Sequence, residues 1–234
     1  VKRFYKEVTA TPLEDGSGWC VRLDGRAIKT AGGRPQIVPS QALAEELAAE
    51  WAAQGEEIDT ARFVTRDLVD FALDAVAPQR ETALTELLPY AETDTLCYRA
   101  DPDEALYKRQ LEVWEPLLTA METRLDVRFI RISGIIHRPH PEETLVRIAE
   151  ELARHDAFTL AALKMMASLA ASLIIALAAL EEGADAAALW QAANLEEDWQ
   201  VELWGEDAEA AENRAARLAA FELAMRVARL AKAH

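Results

Sequence analysis

Residues 157–180 read AFTLAALKMMASLAASLIIALAAL, with Lys164 the single charge. A surface helix shows one apolar stripe, but this run is apolar or small on every side, so something must enclose it. Lipid and the other helices of the same chain are the two possible enclosures. A membrane span needs about 18 or more uninterrupted apolar residues. The nine Leu, Ile and Phe residues of the run each favour insertion by ~0.3–0.6 kcal/mol, whereas one Lys near the centre costs ~2.5–3.5 kcal/mol. Thr159, Ser168 and Ser172 push that balance towards zero, and Glu181-Glu182 follow with no basic cluster to mark a cytoplasmic end. The run is therefore expected to be a buried helix, 156–182, at the centre of a helical domain.

Charge narrows the partners. Against 25 basic residues stand 41 acidic ones, a formal charge of −16. Such a surplus argues against a nucleic acid or an anionic membrane surface as the main partner. It suits a basic or apolar protein partner, as well as plain solubility. Half the residues are hydrophobic (51%), which places the chain among globular proteins. Cys20 and Cys97 lie far apart with no CxxC or zinc-type spacing, so two reduced thiols in a cytosol-like compartment are expected. The opening VKRFYKEV lacks the apolar core of a secretory leader and reads as the start of a strand.

Taken in order, the chain divides at about residue 62. Residues 4–8 and 19–23 are β-prone, Asp24-Gly25 is a two-residue hairpin signal, and Arg26–Lys29 returns. Gly32-Gly33 turns again, and Gln36-Ile37-Val38 offers a further strand. Ser40 is the expected N-cap of a helix over 40–54, with Leu43, Leu47 and Trp51 on its buried face and Gly55 at its end. This part, 1–62, reads as a small antiparallel β-rich domain with one helix. Residues 63–234 read as a larger all-α domain, so the expected fold class is α+β. Leu68, Phe71, Ala72 and Ala75 mark one helical face before Pro78, and a second helix runs to Leu88-Pro89. Asp101-Pro102 is expected to open a helix carrying Leu106, Gln110 and Trp114. A short β-prone interruption holds Val127, Phe129 and Ile132. Helices are expected over 142–154, 185–204 and 207–232, with Asp156, Asp185 and Asp207 as caps and Gly183 and Gly205 as stops.

Most active-site patterns are missing. No GxxxxGK[ST] loop, GxGxxG turn, HExxH or GxSxG stands in the sequence. His137 and His140 have an HxxH spacing, but Pro139 and Pro141 keep a helix from aligning them on a metal. Cys97 with a distant His is the other enzymatic alternative, set against a small buried thiol. Asp94 beside Arg99 reads as an ion pair or a helix-terminus contact. No metal, cofactor or catalytic group is assigned.

The unusual stretch is LEEDWQVELWG, residues 195–205. On a helix Glu197, Gln200 and Trp204 share a face, with Glu196 and Trp199 on an adjacent strip. An amphipathic helix with tryptophans in the core and acids in water is one reading. A recognition surface of aromatics flanked by polar groups is the other.

Several blocks occur together and in order: Arg3-Phe4-Tyr5, Leu23-Asp24-Gly25-Arg26 into Ile28-Lys29-Thr30, Val38-Pro39-Ser40, and Ala49-Glu50-Trp51 with Gln54. Thr93 to Arg99 (TDTLCYR), Gln110 with Trp114 and Pro116, and LEEDWQVELWG follow. In this the chain resembles the assembly chaperone family that serves the α subunit of F1-ATPase in mitochondria and related bacteria. Around 62–74 it departs from the family's usual Met-Pro-Leu-Thr-like entry, although Thr65 and Asp74 match. The resemblance implies a small N-terminal α+β domain followed by a helical one, and no enzymatic activity or cofactor. It implies a monomer that binds the unassembled α subunit transiently, until the β subunit displaces it, in the bacterial cytoplasm or the mitochondrial matrix. It also implies that Glu196, Glu197, Gln200, Glu202 and Trp204 meet the partner, Glu197 above all. Phe4, Tyr5, Asp24, Lys29, Trp51, Asp94, Tyr98, Arg99, Trp114 and Gly205 are implied to be structural.

Overall fold

A computed structural model describes residues 1–134, 136–205 and 208–232. Val8–Pro12 (β1) pairs antiparallel with Trp19–Leu23 (β2), which pairs with the two-residue Arg26–Ala27 (β3). At the β2–β3 turn Asp24 and Gly25 have φ of 47° and 80°, the left-handed pair that a tight hairpin requires. The first strand begins at Val8 rather than Phe4, because residues 4–7 face α1 through Tyr5, whose hydroxyl donates to the Trp51 carbonyl at 2.7 Å. Residues 36–38 supply an isolated bridge, Trp19 to Val38, rather than a strand.

Gln41–Ala52 (α1) covers the sheet with Leu43, Ala44 and Leu47 buried, whereas Trp51, expected on the same buried face, is only half-buried. Ser40 caps it by accepting from the Leu43 N–H at 3.1 Å, while its own hydroxyl donates to the Leu230 carbonyl. The C-cap is Ala53, not Gly55, because the Ala53 N–H reaches back to Ala49. Val64–Phe71 (α2) runs on into a π-helical turn, Ala72–Val76. Glu50 of α1 caps α2 by accepting from the N–H groups of Thr65 and Arg66 at 2.6 and 2.9 Å. Phe71 is exposed, and Val69 and Asp70 are buried in its place, because two carboxylates of this helix hold the 30–36 turn. Asp70 accepts from the Ala31 N–H and Gln36 Nε2, and Asp74 accepts from Thr30 Oγ1 and the Gly32 N–H.

Arg80–Leu87 (α3) and Pro89–Glu92 (α4) follow. Tyr98–Arg99 (β4) comes next, then Ala105–Leu125 (α5) and Ile132–Ser133 (β5). The helix expected to be capped by Asp101 starts three residues later, with Glu104 as N-cap. The β-prone interruption forms a parallel pair, Tyr98 with Ile132 and Arg99 with Ser133. Glu142–Leu152 (α6), Ala157–Ala170 (α7), Leu173–Ala178 (α8), Ala186–Ala193 (α9), Leu195–Trp204 (α10) and Ala208–Ala231 (α11) complete the fold. Asp156 and Asp185 cap as expected, whereas Asp207 lies outside the described residues.

The apolar run is buried by protein, with Leu160 to Leu163, Met166 and Ala167 fully enclosed. Among the described residues no helix is long and apolar enough to cross a membrane. The expected single helix 156–182 is nevertheless two, α7 and α8, because Ala171 adopts φ 48°. A left-handed alanine costs roughly 1–2 kcal/mol, and polar contacts offset that cost. The Ser172 hydroxyl caps the Ile175 N–H at 3.0 Å, and the Asp94 carboxylate accepts from the Ile174 N–H at 2.9 Å. Thr95 donates to the Ala171 carbonyl through both its N–H and its hydroxyl. The 185–204 helix is likewise divided, at Asn194.

The chain forms two compact units: one of Val1–Arg80, Asp156–Ala162 and the described residues from Arg226, the other of the described residues in Glu81–His155 and Leu163–Met225. The fold class is α+β, a small antiparallel sheet with helical cover and a larger helical part.

Candidate functional site

Helix α10 concentrates the second unit's surface chemistry. It starts directly after Asn194, whose side chain folds back to the Trp190 carbonyl. Leu195 is its buried anchor. Glu196, Glu197 and Asp198 fill its first turn, where carboxylates complement the exposed N–H groups of a helix start. Each acid has a different neighbour. Glu196 accepts from Gln110 Nε2 at 2.8 Å, and burial pushes its pKa up against that hydrogen bond. Asp198 pairs with Arg214. Glu197 lies 3.9 Å from Arg217, which is held by the Leu169 carbonyl and stacks over Trp190.

The far end of α10 is left to solvent. Leu203 is 58% exposed and Trp204 81%, so Trp204 is not a core residue. Trp199 is half-buried. Gln200 and Glu202 are exposed. Helical geometry sets Glu197, Gln200 and Trp204 along one side, while Glu202 lines a cleft of ≈ 580 Å³ with Trp199, Arg109 and Arg214. Gly205 ends the helix at φ 89°. Leu203 belongs to the exposed apolar end although the sequence pattern does not single it out; its position beside Trp204 and the terminating glycine is the available signal.

The remaining motif residues separate into two groups. In the first unit, Phe4, Tyr5, Asp24, Lys29 and Trp51 all line one cleft of ≈ 600 Å³. In the second, Trp114 is fully buried and donates to the Ala192 carbonyl at 2.7 Å. Gln110 accepts from the Ala100 N–H while donating to Glu196. Arg99 packs over the Trp114 ring and pairs with Glu115 at 3.1 Å, not with Asp94. Burial lowers the Arg99 pKa. Asp94 makes helix-terminus contacts, to Leu96 and Ile174, and burial raises its pKa to about 7.

The enzymatic alternatives find little support. Cys97 is buried, and burial together with the nearby Asp94 raises its pKa, so the thiol stays protonated and a poor nucleophile. His140 is buried with both ring nitrogens engaged: Nδ1 accepts from the Ile130 N–H and Nε2 donates to the Ala91 carbonyl. Burial lowers its pKa, in keeping with a neutral ring. His137 is exposed and hydrogen-bonds the Tyr98 hydroxyl through Nδ1. Among the described residues no group of three or more His, Cys, Asp and Glu is arranged to hold a metal.

Comparison with known proteins gives a consistent result. Residues 2–122 match the family described as ATP12 chaperone protein. The mitochondrial protein atp12 of Schizosaccharomyces pombe is 29% identical over 226 residues, covering 91% of this chain and 77% of its own. The crystal structure of Atp12 from Paracoccus denitrificans superposes with a TM-score of 0.93 at 35% identity, over 99% of this chain and 98% of that one. A putative chaperone from Agrobacterium tumefaciens superposes with the same TM-score at 38% identity, over 99% of this chain and 86% of that one.

Proposed function

This chain belongs to the ATP12 chaperone family, and from that premise we propose that it binds the unassembled α subunit of F1-ATPase and shields it until a β subunit takes its place. A subunit of an obligate ring exposes a large apolar interface while unpaired, often ~2,000 Å² or more in total. Such surfaces aggregate at cellular concentrations. A binder that covers the face removes that route without any reaction, which suits a chain whose Cys97 is a protonated buried thiol and whose His140 is fully engaged.

The observation that carries the reading is the solvent-facing end of α10. Trp204 and Leu203 stand exposed, with Glu197 and Gln200 on the Trp204 side of the helix and Glu202 exposed at the neighbouring cleft. Aromatic anchors surrounded by polar groups are the composition of interface hot spots. Glu197 is the central contact, with Glu196 held in place by Gln110 at the edge. Release is by competition: the β subunit binds the same face of α more tightly, so the chaperone's affinity is set below that of the final interface. The partner is transient, the binder acts as a monomer, and the site of action is wherever F1 is built, the bacterial cytoplasm or the mitochondrial matrix.

The test is co-expression of this chain with its α subunit. The soluble fraction of α is expected to rise several-fold with the wild-type chain and to fall back with Glu197→Gln or Trp204→Ala. Unchanged α solubility with both folded variants would remove α10 from the interface.

A further inference from the structure

The cleft of the first unit has a chemistry unlike the rest of the chain. Its lining includes the apolar side chains of Phe4, Tyr5, Leu23, Ile28 and Trp51. Phe4 is 70% exposed, an aromatic ring left in water at the end of a stack. Its centroid is 5.3 Å from Tyr5, Tyr5 is 5.6 Å from Trp51, and Trp51 is 4.5 Å from Phe63. Phe63 is buried, so the stack runs from solvent into the core and holds its outer ring on a rigid support. Offset and edge-to-face arrangements of this kind are favourable in themselves.

The same lining carries Arg26, Lys29 and Arg66 against one carboxylate, Asp24. Arg66 is paired with Asp70. Asp24 is engaged by the N–H groups of Lys6 and Glu7 at 3.0 and 2.8 Å, and these backbone bonds hold its pKa down. Arg26 and Lys29 are exposed; the charge of Arg26 also acts on Asp24 and helps to hold its pKa down. On a chain of formal charge −16, this is a local inversion: a cluster of cations beside the exposed ring of Phe4.

We propose that this cleft binds a segment of a partner polypeptide in which apolar side chains alternate with carboxylates. The apolar side chain lies on Phe4 and the half-buried Trp51, and the neighbouring carboxylate meets Lys29 or Arg26. Its volume of ≈ 600 Å³ is within the range of sites that enclose a few side chains. Charge complementarity selects the acidic segment: a basic peptide would bring its cations to Arg26 and Lys29, and like charges in contact cost affinity. This is a second binding site, separate from the α10 reading, and it is measured without the α subunit.

The experiment is fluorescence anisotropy on the full chain with three fluorescein-labelled peptides, each flanked by Gly-Ser. Their centres are Phe-Asp-Leu-Glu, Phe-Lys-Leu-Lys and Ser-Asp-Ser-Glu. The first is expected to bind about tenfold or more tightly than either of the others. Lys29→Glu and Phe4→Ser are each expected to weaken it about tenfold, with far-UV circular dichroism and melting temperature unchanged, and Trp204→Ala to leave it untouched. Lys29→Gln and Phe4→Ala serve if the first variants fold poorly. Equal binding of the lysine peptide, or no loss in any folded cleft variant, overturns the proposal. So does self-association in sedimentation that Lys29→Glu abolishes, because the occupant is then a second copy of this chain.

Discussion

Asp94 shows how one buried carboxylate couples the fold to pH. Burial raises its pKa from the ordinary carboxylic range to about 7, so the folded chain keeps its proton to higher pH than the unfolded chain does. The stability this contributes is present in full below about pH 4, is lost as the pH rises to about 7, and is flat above. Asn at this position mimics the protonated acid and does not titrate. In urea unfolding across pH 4–8, the advantage of the wild type over Asp94→Asn is expected to shrink between about pH 4 and 7 and then level off; a constant gap contradicts it. Gly32 offers a second residue-scale check. A Cβ there would lie 2.6 Å from the Asp74 carboxylate, so Gly32→Ala is expected to lower stability by about 1–3 kcal/mol, read from the urea midpoint. The sequence made a helix-terminus role for Asp94 readable as one of two options. It could not name the terminus, because Ile174 is 80 residues further along. The other option, an ion pair with Arg99, fails because Glu115 takes that guanidinium.

Elements were legible wherever local chemistry alone decides them. The Asp24-Gly25 hairpin, the Ser40 cap and the burial of Leu43 and Leu47 on α1 follow from turn preference, capping and period. Breaks imposed from a distance were not. Nothing in Ala171-Ser172 announces an end to an apolar run, and the left-handed turn exists because Asp94 and Thr95 receive it. Ala171→Gly is accordingly expected to raise stability by up to about 1 kcal/mol, measured by thermal melting, and Ser172→Ala to cost about 0.5–2 kcal/mol. Residues 63–80 illustrate the same limit. Their period is helical, yet Asp70 and Asp74 tie them to the turn at 30–36, a pairing that periodicity does not encode. For α10 the sequence left core and surface readings open, and its exposure takes Trp204 out of the core. Glu197→Gln and Trp204→Ala, being at the surface, are expected to shift stability by less than about 0.5 kcal/mol. Loss of client protection with an unchanged melting temperature therefore identifies α10 as a contact, and a large fall in stability contradicts that assignment.

At the scale of the whole molecule, the acidic surplus and the missing catalytic patterns narrow the class from residue content alone, and the family follows from blocks spread along most of the chain. The surfaces themselves were not readable, because exposure is decided by which neighbours arrive in three dimensions. A formal charge of −16 should speed encounter with a basic client face, and such steering is screened over about 8 Å at physiological salt. The association rate with α, followed by stopped-flow fluorescence, is expected to fall about tenfold or more between low and high salt, as for other steered pairs; a flat profile removes steering from the account. The most direct test of the central claim is displacement. The chain is bound to purified α subunit, β subunit is added, and the products are separated by size-exclusion chromatography. The expected result is that α leaves the chaperone and appears with β, with the chaperone released alone and no nucleotide hydrolysis required. A chain that forms no complex with α, or that stays on α when β has bound, contradicts it.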